Sequence, residues 1–216
     1  MNQEKKYLQS LIIPELMQIY SFDPSKTVSW ANGTSTELYV YPPDGNFQTR
    51  DFIFRISTAT VEAEETTFSD FSGLTRILLP LKGKLSLVHE GRYTKELEPF
   101  EQDQFDGSWS TRSKGKVQDF NVIFNKQTSA RVRHHHLSSG EVNTLQAHKS
   151  WHFIFLNDGV FEVNGHGIVA GDLVEFESSD AKAIDIKCHE EGNILECIIH
   201  HIDTEVLDSV YESISK

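Results

Sequence analysis

The sequence predicts an all-β fold built from two β-barrel halves, and two observations support this. From Thr36 onward, short runs rich in Val, Ile, Phe, Tyr and Thr are separated by turn signals such as Asn157-Asp158-Gly159. That pattern is typical of antiparallel sandwiches and barrels rather than βαβ units. The order of elements also recurs, because Leu78 to Gly107 and Phe153 to Phe176 each contain an apolar strand, a Gly turn and an alternating strand.

Two strands of the first half are predicted to present polar side chains to a common space. Successive side chains of a strand point to opposite faces, so the runs from Arg50 and from Val117 each have one apolar and one polar face. A guanidinium, a hydroxyl, a carboxylate and an amide lie on the polar faces, in Arg55, Ser57, Asp119 and Asn121. Polar groups that converge in this way are typical of a pocket for a small molecule, although a half-exposed strand meeting water would give the same pattern.

The halves are predicted to divide at residues 1–126 and 127–216. Gln127 to Ser139, with two arginines and three histidines, is the predicted crossover between them. The second half repeats the strands and Gly turns of the first. After it, Asp203 to Ile214 has apolar residues at helical spacing and predicts a short C-terminal helix.

Composition narrows the classes of partner. The 216 residues include 20 Lys and Arg against 32 Asp and Glu, a formal net charge of −12, which disfavours a nucleic-acid partner. No apolar run of transmembrane length and no signal-like start is present, so a cytoplasmic protein without a membrane partner is expected. Cys188 and Cys197 form no CxxC pair and are expected to be reduced thiols.

Over roughly residues 27–125, the order and spacing of several motifs resemble the HutD/Ves family. Proteins of this family are found in part beside histidine-utilisation genes and are built as two cupin-like barrels. The matching motifs are Trp30-Ala31-Asn32-Gly33, Glu37-Leu38, Pro42-Pro43, Phe54 to Val61, Phe68 to Arg76, Leu81-Lys82-Gly83 and Asp119-Phe120-Asn121. The resemblance implies a divergent bicupin, that is, two jelly-roll barrels in one chain, and the second half matches mainly in architecture.

One departure from the family concerns the opening loop. The family usually has Thr-Arg-Glu there, whereas this shorter loop has Thr36 directly before Glu37. Threonine does not replace a planar bidentate donor, so the resemblance does not fix the identity of the ligand.

Arg55 and Arg76 are the strongest candidates for recognising a ligand, because buried arginines are rare without partners and can grip a carboxylate bidentately. The full set of predicted ligand-binding residues is Trp30, Asn32, Thr36, Glu37, Arg55, Ser57, Arg76, Asp119 and Asn121. An equally weighted alternative for Arg55 is an internal salt bridge with Asp119 or Glu37. The loop Phe68 to Gly73 is interpreted as a packed strand connection, with a lid over the barrel mouth as the alternative.

No metal or other cofactor is expected. Metal-dependent cupins use a His-x-His pair, a nearby Glu and a later His, whereas Arg76 to Gly107 contains only His89. In the second half, His134 and His136 would share a strand face, but no His follows within Leu173 to Lys182. A metal held by second-half histidines remains an alternative.

Together these features favour metal-independent binding of a small polar metabolite, a carboxylic acid, in the first barrel. The resemblance adds a regulatory role linked to histidine utilisation, and a homodimer paired through sheet edges is a further hypothesis. No catalytic residue is assigned. Two alternatives stay open: a cupin-type isomerase or hydrolase using Glu37 or Asp119 as a base, and a protein-interaction scaffold.

Overall fold

The computed structural model describes residues 17–146, 150–176 and 183–202. Within them the secondary structure is β, apart from a short 3-10 helix at Pro24–Lys26 that Asp23 caps. The predicted all-β class is therefore confirmed. The predicted helix from Asp203 to Ile214 lies outside the described residues. No helix in the described part of the chain is long and apolar enough to cross a membrane.

The strands are numbered in chain order. They are β1 Met17–Tyr20, β2 Thr27–Trp30, β3 Gly33–Tyr41, β4 Phe54–Val61, β5 Glu65–Thr67, β6 Leu74–Lys82, β7 Leu85–His89, β8 Tyr93–Leu97, β9 Asp103–Asp106, β10 Thr111–Lys114, β11 Val117–Asn125, β12 Thr128–Leu137, β13 Val142–Gln146, β14 Trp151–Val163, β15 His166–Ile168, β16 Leu173–Phe176 and β17 Ala183–His201.

The described chain divides into two compact units. The first-half unit lies within Phe22–His134 and Ile199–Lys216, and the second-half unit lies within Met1–Ser21 and His135–Ile198. The chain passes from one unit to the other inside β12, shortly after the predicted division at residues 126 and 127. That division stays a prediction.

The first-half unit contains a six-stranded sheet in the order β2-β3-β4-β11-β6-β9 and a four-stranded sheet in the order β5-β10-β7-β8. A buried apolar cluster joins the two sheets, with Leu78 and Phe105 from the larger sheet and Leu85, Leu87 and Leu97 from the smaller. Alternation along the strands produces this cluster, because each strand turns every second side chain toward the neighbouring sheet.

A tight turn at Gly83 connects β6 to β7 and so joins the two sheets. Gly83 has a φ of 86°, and a Cβ atom there would lie 2.5 Å from the carbonyl oxygen of Lys116. Glycine is required at this turn because it alone adopts the left-handed conformation without a steric penalty.

The second-half unit is built on a seven-stranded sheet in which β1, β16, β14, β17 and β12 lie side by side, with β13 on β17 and β15 on β14. Its core consists of fully buried aliphatic and aromatic side chains, including Ile154, Leu156, Phe161 and Ile186. The two cysteines, Cys188 and Cys197, are buried free thiols.

Candidate functional site

Four neighbouring strands of the six-stranded sheet bring polar side chains onto one face. In the register of β4 and β11, Ser57 lies opposite Asn121 and Ala59 opposite Asp119. Glu37 of β3 lies opposite Ser57, and Arg76 of β6 follows the same alternation. We call this group the arginine cluster; its members are Glu37, Arg55, Ser57, Arg76, Asp119 and Asn121.

Both faces of the sheet are buried here. Phe54, Ile56, Phe120 and Val122 alternate with the polar residues and are fully buried on the opposite face. The polar side is shielded as well, because Arg55 has a relative exposure of 5% and Arg76 of 8%. A half-exposed strand whose polar face meets water is therefore the wrong interpretation of this pattern.

Arg55 is held by two partners in the cluster. Its Nε donates to Glu37 Oε2 at 2.8 Å, and its Nη1 donates to Ser57 Oγ at 2.8 Å. The internal salt bridge considered from the sequence is thus present, and its partner is Glu37 rather than Asp119. Among the described residues nothing accepts a hydrogen bond from Arg55 Nη2, so the outer edge of the guanidinium keeps a donor.

Arg76 and Asp119 contact opposite ends of the same amide. Arg76 Nη2 donates to Asn121 Oδ1 at 2.8 Å, and Asn121 Nδ2 in turn donates to Asp119 Oδ1. An arginine only donates, so this contact fixes which end of the Asn121 amide faces Asp119. Arg76 Nε is buried and has no hydrogen-bond partner among the described residues.

Aromatic rings cover the guanidinium groups. The Arg55 Cζ atom lies 4.3 Å from the centre of the Phe47 ring, and the Arg76 Cζ atom lies 4.5 Å from that of Phe68. A third arginine, Arg50, lies beside the cluster with its Cζ 4.0 Å from the Phe71 ring. Such contacts shield the faces of the cations from water and leave the in-plane N–H groups able to donate hydrogen bonds.

Charges in this region are not balanced. Three guanidinium groups stand against two carboxylates, Glu37 and Asp119. Burial lowers the pKa of Arg76 to about 10, Asp119 opposes this shift, and Arg55 and Arg50 add to it by repulsion. Burial raises the pKa of Asp119 to about 7, against the opposing effects of Arg76 and Asn121. With Asp119 partly protonated at neutral pH, the region carries surplus positive charge.

Three of the nine predicted ligand-binding residues lie outside this network. Trp30 is on the edge strand β2 with 40% of its surface exposed. Asn32 donates to Thr66 Oγ1 at 2.7 Å, and Thr36 pairs its hydroxyl with Thr27 at 2.8 Å. Their described hydrogen bonds connect strands and do not reach the arginine cluster.

Two neighbours of the cluster were not predicted, Phe47 and Arg50. Both lie in the turn after β3, where Asn46 and Asp51 form an isolated bridge and Arg50 has a φ of 63°. Arg50 Nη1 donates to the Phe47 carbonyl, which holds the turn closed. The one feature of the sequence that could have indicated this contact is the single arginine, Arg50, among turn residues. Turn composition does not, however, predict the direction of a side chain.

The loop from Phe68 to Gly73 is also part of the surroundings. Phe71 is 4% exposed and belongs to a small apolar cluster with Phe52, Leu74 and Ile123. The loop is therefore a packed connection, as interpreted from the sequence, and it also supplies the Phe68 and Phe71 rings that face Arg76.

His89 is part of a buried network rather than a lone residue beside a turn. Its Nε2 lies 2.9 Å from Asp103 Oδ2 and its Nδ1 lies 2.8 Å from Thr111 Oγ1. Tyr93 and Lys95 also donate to Asp103, at 3.1 Å each. His89, Tyr93, Lys95 and Thr111 come from three neighbouring strands of the four-stranded sheet, whereas Asp103 comes from β9 of the six-stranded sheet. The network therefore connects the two sheets of the first-half unit, and its members satisfy one another's hydrogen-bonding groups.

A second buried carboxylate lies in the second-half unit. Glu196 is 1% exposed, and its two oxygens lie 3.1 Å from His135 Nε2 and 3.1 Å from His152 Nε2. Burial acts to raise the pKa of Glu196, but the contacts with the two histidines outweigh it, and the net shift is well below the ordinary value. No group of three or more His, Cys, Asp or Glu side chains in the described residues has an arrangement that could hold a metal ion.

Several solved structures share the fold of this chain. HutD of Pseudomonas fluorescens SBW25, determined in a formate condition, has a TM-score of 0.70 at 17% identity, covering 87% of this chain and 100% of that chain. A conserved protein of unknown function from Pseudomonas aeruginosa PAO1 has a TM-score of 0.72 at 21% identity, covering 85% and 98%. YhhW of Escherichia coli has a TM-score of 0.65 at 11% identity, covering 86% and 98%.

No curated protein matches the chain by sequence. The HutD family model matches residues 24–195, which is most of the chain and extends well beyond the motifs of the first half. This match agrees with the resemblance seen in those motifs. The chain belongs to the HutD family.

Proposed function

We propose that this protein binds a small carboxylic acid at the arginine cluster and that it does so without a metal. The observation that carries the proposal is the buried Arg76 Nε, which lacks an acceptor among the described residues. A buried donor left without a partner costs about 1–3 kcal/mol. An oxygen atom of a bound acid would supply the missing acceptor.

The geometry favours a carboxylate over a neutral ligand. Arg55 is oriented from one side by Glu37 and Ser57 and keeps Nη2 available. A guanidinium presents its donors in a planar fork that matches the two oxygens of a carboxylate. The surplus of positive charge from Arg50, Arg55 and Arg76 favours an anion over a neutral or cationic molecule.

The biological setting is part of the same proposal. Each compact unit is proposed to be one barrel of a bicupin, with the ligand in the first-half unit. Membership of the HutD family suggests a regulatory role tied to histidine utilisation, so formylated and formimino derivatives of glutamate are candidate ligands. Proteins of one fold bind many different ligands, so the class of ligand depends on the side chains of the arginine cluster and not on the fold.

A thermal-shift screen tests the proposal. The untagged protein is tested against histidine-pathway intermediates, related dicarboxylates and divalent metals, with metal content measured on the same sample. Binding raises stability by RT ln(1 + [L]/Kd), which is about 2.7 kcal/mol at one hundred times Kd. A shift with one acid and no stoichiometric metal supports the proposal, and a tightly bound metal with no response to any acid contradicts it.

A catalytic role is a second candidate, and Asp119 is the observation that favours it. A buried carboxylate whose pKa is raised to about 7 can exchange a proton at neutral pH. An acid identified in the screen is incubated with the protein and followed by NMR. Chemical conversion that Asp119→Asn abolishes would establish an enzyme, whereas an unchanged ligand supports the binding protein.

A further inference from the structure

Asp119 is a buried carboxylate that contacts no cationic side chain among the described residues. It is 4% exposed and none of its oxygens lies within 4.0 Å of a lysine, arginine or histidine nitrogen in the described residues. Oδ1 accepts the hydrogen bond from Asn121, and Oδ2 has no hydrogen-bond partner in that part of the chain. Oδ2 is therefore the atom at which a proton would be added.

No titratable side chain lies directly opposite Asp119 on the two strands that flank β11. The residues directly opposite on β4 and β6 are Ala59 and Pro80, which do not titrate. The charged groups that share its sheet face are Arg76, Arg55 and Glu37, with Arg50 at the edge. Asp103 lies farther along the same face, where His89 and Lys95 hold it.

We propose that binding of an acid at Arg76 is coupled to uptake of a proton by Asp119, whose O–H then donates to the bound carboxylate. This inference rests on the proposed function and adds a donor to it. The proton moves from solvent to Oδ2, and no bond of the ligand is broken. The affinity of the site for an acid then depends on pH as well as on the charge of the ligand.

The physical reason is repulsion between like charges. The Asn121 amide bridges Arg76 and Asp119, so a carboxylate that accepts from Arg76 Nε would lie near a second carboxylate. Two adjacent carboxylates in a buried site do not both ionise, and the pair shares a proton. Arg76 is then neutralised by the ligand instead of by Asp119. The raised pKa of Asp119 in the free protein, about 7, means that this protonation is already partly complete at neutral pH.

Formate is the probe for this coupling. It is the smallest carboxylate, so it reports on the oxygen-binding part of the site regardless of the rest of the natural ligand, and it stays ionised from pH 6 to pH 8. Its Kd is measured by NMR titration at both pH values. If binding requires protonated Asp119, the pKa of about 7 predicts a Kd about tenfold larger at pH 8 than at pH 6.

Substitutions identify the carboxylate that takes up the proton. Asp119→Asn keeps a neutral donor at the same place, so formate binding should persist and become independent of pH. The matched control is Asp172→Asn. Asp172 is also a buried aspartate, and it accepts a hydrogen bond from the Val169 N–H. This variant should keep the tenfold change in Kd. Glu37→Gln removes the carboxylate that orients Arg55, so its affinity for formate should fall at both pH values. The ratio of Kd between pH 8 and pH 6 should still be about tenfold, because Glu37 pairs with Arg55 and not with Asp119. If Asp119→Asn does not fold, the 13C titration of the Asp119 carboxyl in the native protein replaces it, and its midpoint should rise when formate is added.

Three results would overturn the inference. An equal affinity for formate at both pH values would contradict the proton coupling but would still support carboxylate binding. If the pH dependence is lost in Glu37→Gln and kept in Asp119→Asn, the group that takes up the proton is Glu37 and not Asp119. Formate that fails to bind at either pH, together with no acid response in the thermal-shift screen, overturns the proposed function as well.

Discussion

Replacing Arg76 with methionine separates a binding role from a structural one. In the free protein Arg76 makes one hydrogen bond to Asn121 and lies against the Phe68 ring. A hydrogen bond to a charged group contributes about 1.5–3 kcal/mol and a partly desolvated cation–π contact about 1–2 kcal/mol. Against these stand the cost of the unpartnered Nε, about 1–3 kcal/mol, and the desolvation of a buried guanidinium.

Because these terms nearly offset each other, we expect Arg76→Met to change stability by less than about 2 kcal/mol, or less than about 8 °C in Tm. Binding of a carboxylic acid has no such offset. Loss of one charged hydrogen bond weakens binding by roughly 10- to 150-fold. Both quantities come from one thermal-shift series with and without the acid.

The matched control is Arg112→Met. Arg112 lies on β10 and is 43% exposed at its side chain, where it pairs with Glu65 and Glu90. We expect its ligand response to equal that of the wild-type protein. A variant at Arg76 that unfolds, or that binds the acid as tightly as the wild type, would refute the argument, because the guanidinium would then serve the fold alone.

Four further changes test neighbouring parts of the structure. Arg55→Ala should leave a folded protein that no longer responds to the acid; an unfolded variant would show that its pair with Glu37 is mainly structural. Phe47→Ala should weaken binding by roughly two- to fivefold, because it removes a cation–π contact that contributes about 0.5–1 kcal/mol. Phe22→Ala is the control, at a phenylalanine that is 51% exposed against 38% for Phe47, and should not change binding. Glu196→Gln should cost about 1–3 kcal/mol in urea unfolding at neutral pH. The folded-state pKa of Glu196 is lowered, so this difference should shrink as the pH falls below 4.5; a difference that stays constant in acid would contradict the ionised pair. For Asp119 the sign is opposite: its folded-state pKa is raised from 3.8 to about 7, so Asp119→Asn should gain stability relative to the wild type as the pH rises through that window.

The sequence predicted the arginine cluster better than it predicted the residues around it. Alternation along a strand has a period of two, so Arg55 with Ser57 and Asp119 with Asn121 had to share faces once the strands were identified. Antiparallel pairing of β4 with β11 then sets these pairs side by side. Local pattern and global register agree here because both faces of the sheet are buried, which penalises a slip of one residue.

The surroundings of the cluster depend on loops, and loops carry no comparable period. Phe47 and Arg50 come from a turn whose conformation is set by the Asn46 and Asp51 bridge and by a positive φ at Arg50. Nothing in that composition indicates that the Phe47 ring lies over Arg55, a residue on another strand. The position of Glu196 between two histidines was missed for a similar reason, because it depends on which strands become neighbours across a large separation in sequence.

The structure of β3 changes the interpretation of residue 36, at which the opening loop departs from the family pattern. Thr36 stands where the family usually has arginine, and the sequence alone suggested that a donor for an anionic ligand is lost. In β3, however, Glu37 lies opposite Ser57 while Thr36 lies opposite Thr58, so the two residues point to opposite faces of the sheet. Glu37 orients Arg55, whereas the Thr36 hydroxyl pairs with Thr27 on the edge strand.

An arginine at position 36 would therefore lie on the face away from Arg55. Thr36 is 6% exposed, so Thr36→Arg should lower the stability of the free protein. The thermal shift that the acid produces should nevertheless equal that of the wild type. A large gain in affinity would show instead that residue 36 reaches the ligand and that the sheet face has been assigned wrongly.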